Sequence, residues 1–71
     1  MNTDIKLKLA RKIRGLRKKR GYTQERLAEI ADIDYKHIQL LESKEPCAAT
    51  ITTIEKLANA LGVMPSDLLK F

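Results

Sequence analysis

Apolar residues recur along this chain at helical spacing, and polar residues, glycine or proline break the pattern between periodic stretches. Ile5, Leu9, Ile13 and Leu16 share one face of a 3.6-residue period. They predict a first helix from about residue 3 or 4, with Thr3 or Asp4 at its start, to Arg20. Gly15 lies inside it and weakens it relative to alanine. Gly21 follows, at the kind of position glycine favours just past a helix end. Thr23 is the expected N-cap of a second helix with Leu27, Ala28 and Ala31 inward, and Asp34 that of a third with Ile38 and Leu41 inward. Residues 43–49, which include Pro46, predict a loop. Thr50 is placed to cap a fourth helix whose inward face is Ile51, Ile54, Leu57, Ala58 and Leu61, and Gly62 ends it. Pro65 opens a short fifth helix in which Leu68 and Leu69 close the core. There is no strand-like alternation, internal repeat or low-complexity tract. The expected fold is all-α, a compact five-helix bundle forming a single domain over residues 1–71.

The second and third helices are short, joined by a tight turn, and each spends few side chains on packing. The third needs only Ile38 and Leu41. Tyr35, Lys36, His37, Gln39 and Leu40 lie outside what the core requires. A helix held out in this way suits the major groove of DNA.

Charge sharpens the picture. The chain carries a formal +5, and nine of its 14 lysines and arginines precede Gly21, where only Asp4 opposes them. A basic segment on a mildly acidic body is the polarity of a nucleic-acid partner. Taken alone, such a run reads as a solvated helix face; the helix pair beside it tips the balance toward DNA. The lone Cys47 excludes an intrachain disulfide, and a single thiol suits a reducing compartment, so a cytoplasmic location is expected. No apolar run could span a bilayer, and the N-terminus does not read as a secretory signal. One histidine, His37, and one cysteine cannot build a zinc site, so no metal and no cofactor are expected. With no nucleophile–base pair and no phosphate-cradling glycine loop, catalysis is not expected either.

Ile13-Arg14-Gly15-Leu16-Arg17, Gly21-Tyr22-Thr23-Gln24, Leu27-Ala28, Ile38, Leu41-Glu42 and Leu57 to Val63 together resemble the lambda-repressor-like (Cro/XRE-type) helix-turn-helix family, in register across roughly 50 residues. The resemblance implies a five-helix fold with helices 2 and 3 as the DNA-binding unit. It places Tyr35, Lys36 and Leu40 at base-facing positions, with Gln39 close beside them. It puts His37 and Gln24 at phosphate-contacting positions, and Lys44 in a loop that meets the backbone. Arg11, Arg14, Lys18 and Lys19 are further candidates for phosphates. Arg17 and Glu42 match a pair that forms an internal salt bridge in many members. Two departures stand out: Asp32 and Lys44 occupy positions that are usually glycine, and the loop after helix 3 is about one residue longer than usual. Asp32 is therefore expected in a left-handed conformation, which Asp tolerates better than most non-glycine residues.

The resemblance implies a transcriptional regulator. A homodimer is expected through the region from helix 4 onward, where Leu68, Leu69 and Phe71 give the C-terminus much apolar surface. Ile30, at a position that usually faces solvent, is a scattered surface residue or part of a partner contact. Controllers of restriction–modification operons, antitoxins and phage regulators fit this size, and the sequence does not choose among them. The rival reading is a protein-interaction module, such as an adaptor or an antitoxin partner, that keeps the fold but reads few bases.

Overall fold

The computed structural model describes residues 4–71. Five helices follow in order: α1 (Ile5–Lys19), α2 (Gln24–Ala31), α3 (Tyr35–Leu41), α4 (Ile51–Leu61) and α5 (Pro65–Leu68). Helix α2 packs against α3 and α4, while α1 and α4 both pack against α5 and against each other. Among the described residues there is no strand.

The helix starts follow local chemistry. Asp4 accepts the Leu7 N–H, Thr23 the Arg26 N–H, Asp34 the Lys36 N–H and Thr50 the Thr53 N–H. Each side chain thereby satisfies one of the donors that a helix N-terminus leaves without a partner. Thr3, the other expected start of the first helix, lies outside the described residues. Arg20 caps the end of α1 instead of continuing it.

Three helices end in one way. After α1, Gly21 N–H donates to Lys18 O and Tyr22 N–H to Arg17 O. After α2, Asp32 N–H donates to Glu29 O and Ile33 N–H to Ala28 O; after α4, Gly62 and Val63 pair with Asn59 and Ala58. This is the Schellman pairing, which requires a left-handed residue at its corner. Gly21 and Gly62 supply it at φ +75° and +71°, and Asp32 supplies it at +59°. Asp32 thus adopts the left-handed conformation expected of it. Lys56 Nζ on α4 donates to the Asp32 carbonyl at 3.3 Å and ties this turn to the body.

The core is built from Leu9 and Ile13 of α1, Leu27, Ala28 and Ala31 of α2, Ile38 and Leu41 of α3, Leu57, Ala58 and Leu61 of α4, and Leu68 of α5. Two residues expected to pack inward, Ile51 and Leu69, do not, and Ile5 on the apolar face of α1 is uncovered as well. Ile5 is 57 % exposed, Ile51 85 % and Leu69 50 %. Ile5 and Ile51 open their helices, and Leu69 follows the last turn of α5. Each extends an apolar face beyond the point where another element covers it. Thr53 and Ala60 are buried on α4 instead. Thr53 can be buried because its hydroxyl meets that of Thr50 at 3.1 Å. Leu68 is wholly buried, so its place in the expected dimer surface is corrected: it belongs to the core and cannot reach a partner.

Candidate nucleic-acid interface

Asp34 ends the turn with an extended backbone and caps α3, so Tyr35 becomes its first residue. Ile38 and Leu41 then rotate toward α2 and are buried. Side chains three and four residues apart share a helical face. Tyr35, Lys36, Gln39 and Leu40 therefore form one stripe pointing away from the core, and all four are exposed. Leu40 is 46 % exposed with no packing role to explain it. His37 lies at the edge of this stripe and is half-buried. Lys44 is exposed in the segment after α3.

The mount beneath the stripe centres on Glu42, the C-cap of α3. Its side chain is fully buried. Arg17 Nε donates to Oε2 at 2.9 Å and Nη2 donates to Oε1 at 3.0 Å, a two-pronged pair. The remaining fork of Arg17 donates to the Tyr22 carbonyl at 2.8 Å. Gln24 Nε2 donates to Oε1 at 3.2 Å. Arg14 Nη2 donates to the Glu42 backbone carbonyl at 2.6 Å. One carboxylate thus joins α1, the start of α2 and the end of α3. Among the described residues, no buried side-chain nitrogen or oxygen lacks a hydrogen-bond partner. That matters because a buried ion pair is tolerable only when its remaining polar atoms are satisfied.

Two members of this cluster are absent from the sequence reading in that role. Arg14 stood there only as a phosphate candidate, yet it locks the end of α3. Gln24 stood there as a phosphate holder, and one of the two N–H donors of its amide is committed to Glu42. The available signal was the three-residue spacing of Arg14 and Arg17, which puts both on one face of α1. Basic residues all round that helix hid it.

Arg11, Arg14 and Lys44 border a common recess of about 220 Å³ between α1 and the segment after α3. Lys18 and Lys19 are exposed at the far end of α1 and do not line it. On α2, Arg26 is paired with Glu29 at 2.7 Å. No cluster of three potential metal-binding side chains occurs among the described residues. No helix there is long and apolar enough to cross a membrane.

A bundle whose second and third helices form a tight-turned pair, with a polar stripe held out on a buried ion-pair mount, defines a helix-turn-helix protein. The chain belongs to the Cro/C1-type helix-turn-helix DNA-binding family, which it matches over residues 12–71. It is 36 % identical over 72 residues to the control protein C.BamHI of Bacillus amyloliquefaciens, covering all of this chain and 88 % of that one. Its fold is similar to that of the restriction-modification controller protein C.AhdI from Aeromonas hydrophila, with a TM-score of 0.83 and 30 % identity over 89 % of this chain and 94 % of that one. It is also similar to the hypothetical transcription factor NHTF from Neisseria, with a TM-score of 0.88 and 33 % identity over 94 % of this chain and 76 % of that one. The family is one of DNA-binding transcription regulators, not of enzymes.

Proposed function

We propose that this protein is a sequence-specific regulator that binds a pseudo-palindromic operator as a homodimer, with α3 in the major groove. The observation that carries this reading is the exposed stripe of Tyr35, Lys36, Gln39 and Leu40 on a helix that gives only Ile38 and Leu41 to the core. In the groove, Lys36 donates to guanine O6 and N7, and Gln39 pairs with adenine. Leu40 and the Tyr35 ring meet thymine methyl groups. Gln24, His37 and Lys44 hold phosphates and set the register of the helix on the duplex.

The homodimer reading is supported by the apolar side chains left uncovered on one protomer, Ile5, Ile51, Leu69 and Phe71. Soluble monomers rarely leave such groups together in water. A two-fold axis would present the two α3 helices to half-sites roughly 10 bp apart. Similarity to a restriction-modification controller and to a control protein favours a role in governing a restriction–modification operon. The work is then done in the cytoplasm, where Cys47 stays reduced.

Selection of bound sequences from a random duplex pool at a fixed, stated salt concentration tests the reading. A symmetric enriched motif is expected. Binding that shows no enrichment and fades as salt rises would overturn it in favour of an adaptor on the same fold.

A further inference from the structure

The recess between α1 and the segment after α3 gathers charge of one sign. Arg11, Arg14 and Lys44 border it. Among the described residues the one carboxylate that lines it is Glu42, which is buried and already held by Arg17 and Gln24. Arg11 and Lys44 are exposed and make no ion pair among the described residues. Arg14 is tied down but not used up. Its Nη2 donates to the Glu42 carbonyl at 2.6 Å, yet its side chain remains 48 % exposed, and a guanidinium carries five N–H donors. Two arginine forks side by side suit a phosphate group, whose oxygens they can meet in pairs. The volume of about 220 Å³ is below the ~300–1,000 Å³ of sites that enclose a whole small molecule. The recess fits a charged group carried by something larger.

Its place in the fold identifies that carrier. Ser43 and Lys44 follow Leu40, the last outward residue of the stripe on α3, and Ser43 Oγ donates to the Leu40 carbonyl at 2.8 Å. The recess therefore opens just past the C-terminal end of the stripe. With seven residues, α3 is about 10 Å long, comparable with the roughly 12 Å width of the major groove. When α3 lies in the groove, the segment after its last turn meets the groove wall, and that wall is a row of phosphates. We infer that the recess seats one phosphodiester of the DNA backbone in each half-site, held jointly by Arg11, Arg14 and Lys44. This rests on the operator-binding function proposed above and adds two residues of α1 to the contact. Arg14 acts as a bridge: one N–H holds the carbonyl of Glu42, the C-cap of α3, and the rest of the guanidinium holds the phosphate. The DNA backbone and the end of α3 thus share one side chain, and the seated phosphate fixes how far α3 enters the groove.

The test uses the full chain and the duplex enriched from the random pool, with backbone phosphates replaced by uncharged methylphosphonate one position at a time. Affinities are measured at one fixed salt concentration for wild type, Arg11→Ala, Arg14→Ala and Lys18→Ala. Circular-dichroism melts establish that each variant is folded; Arg11, which makes no hydrogen bond among the described residues, carries the test if Arg14→Ala is not. At one phosphate position per half-site, neutralisation is expected to weaken wild type roughly tenfold. Arg11→Ala and Arg14→Ala should each lose about as much on the unmodified duplex, and less than about threefold more when that phosphate is neutralised. Lys18→Ala, outside the recess, should keep the full wild-type sensitivity there. Variants of Arg11 and Arg14 that stay as sensitive as wild type at every phosphate overturn the inference and leave operator reading intact. So does the same result accompanied by chemical-shift changes at Arg11 and Lys44 on adding inorganic phosphate, which assigns the recess to a free anion. A wild-type chain that enriches no motif overturns the inference and operator reading together.

Discussion

Arg17 grips Glu42 with two parallel hydrogen bonds, 2.9 Å and 3.0 Å long, in a setting where the carboxylate has no exposed surface. The pair spans 25 residues of sequence and closes α1 onto the end of α3. Its worth lies in holding α3 at a fixed attitude. Replacing such a pair with apolar groups is often neutral, but removing one partner strands the other.

Glu42→Ala is therefore expected to cost about 3–5 kcal/mol of stability, because it leaves the largely buried Arg17 guanidinium without its carboxylate and with the Tyr22 carbonyl as its remaining acceptor. The loss should show as a lower melting temperature by circular dichroism. Base preference of the molecules that remain folded should be unchanged. A changed footprint with an unmoved melting temperature would refute the structural role.

Lys36 and Lys44 should part company in binding assays. Lys36→Ala is expected to relax preference at one base-pair position per half-site, at a cost of about 1–3 kcal/mol. Lys44→Ala should weaken all sequences alike and reduce the slope of log affinity against log salt by about 1 per protomer. Titrations of the preferred duplex and single-substituted duplexes at several salt concentrations separate the two.

Asp32 stands at a Schellman corner where Gly21 and Gly62 occupy the equivalent places. Asp32→Ala should destabilise the fold by about 1 kcal/mol, since alanine lacks the local tolerance of Asp for the left-handed region. Asp32→Gly should be neutral or stabilising by up to about 1 kcal/mol, less the extra chain entropy of glycine. Denaturant unfolding of the three proteins gives the order Gly at or above Asp, and Asp above Ala. Ala equal to Gly would mean that the corner carries no strain.

Leu40→Ala isolates the apolar part of recognition. The side chain is 46 % exposed and outside the core, so stability should move by no more than about 0.5 kcal/mol. Preference for thymine at one position should fall, as measured by repeating the pool selection. A drop in melting temperature with unchanged preference would return Leu40 to a packing role.

The helix caps were legible because capping is local. Thr23, Asp34 and Thr50 each accept an N–H two or three residues ahead, within reach of a short sequence window. The stripe on α3 was legible because Ile38 and Leu41 orient the helix, and the other positions follow from its pitch. Ile51 and Leu69 were misplaced for a definite reason, which also leaves Ile5 uncovered. Periodicity identifies an apolar face but not whether anything lies over it. The convergence of Arg14 and Gln24 on Glu42 joins positions 28 and 18 residues apart, and no local rule connects them. Internal comparison of the three helix ends does explain Asp32, since each needs the same corner.

Only Ile38 and Leu41 fasten α3 into the core, and the rest of its support comes from the cluster around Glu42. The residues that face outward can thus be exchanged while the scaffold stays intact. On the proposed reading, a lineage carrying this domain is free to drift toward new operators through a handful of substitutions, without first having to re-evolve a stable protein.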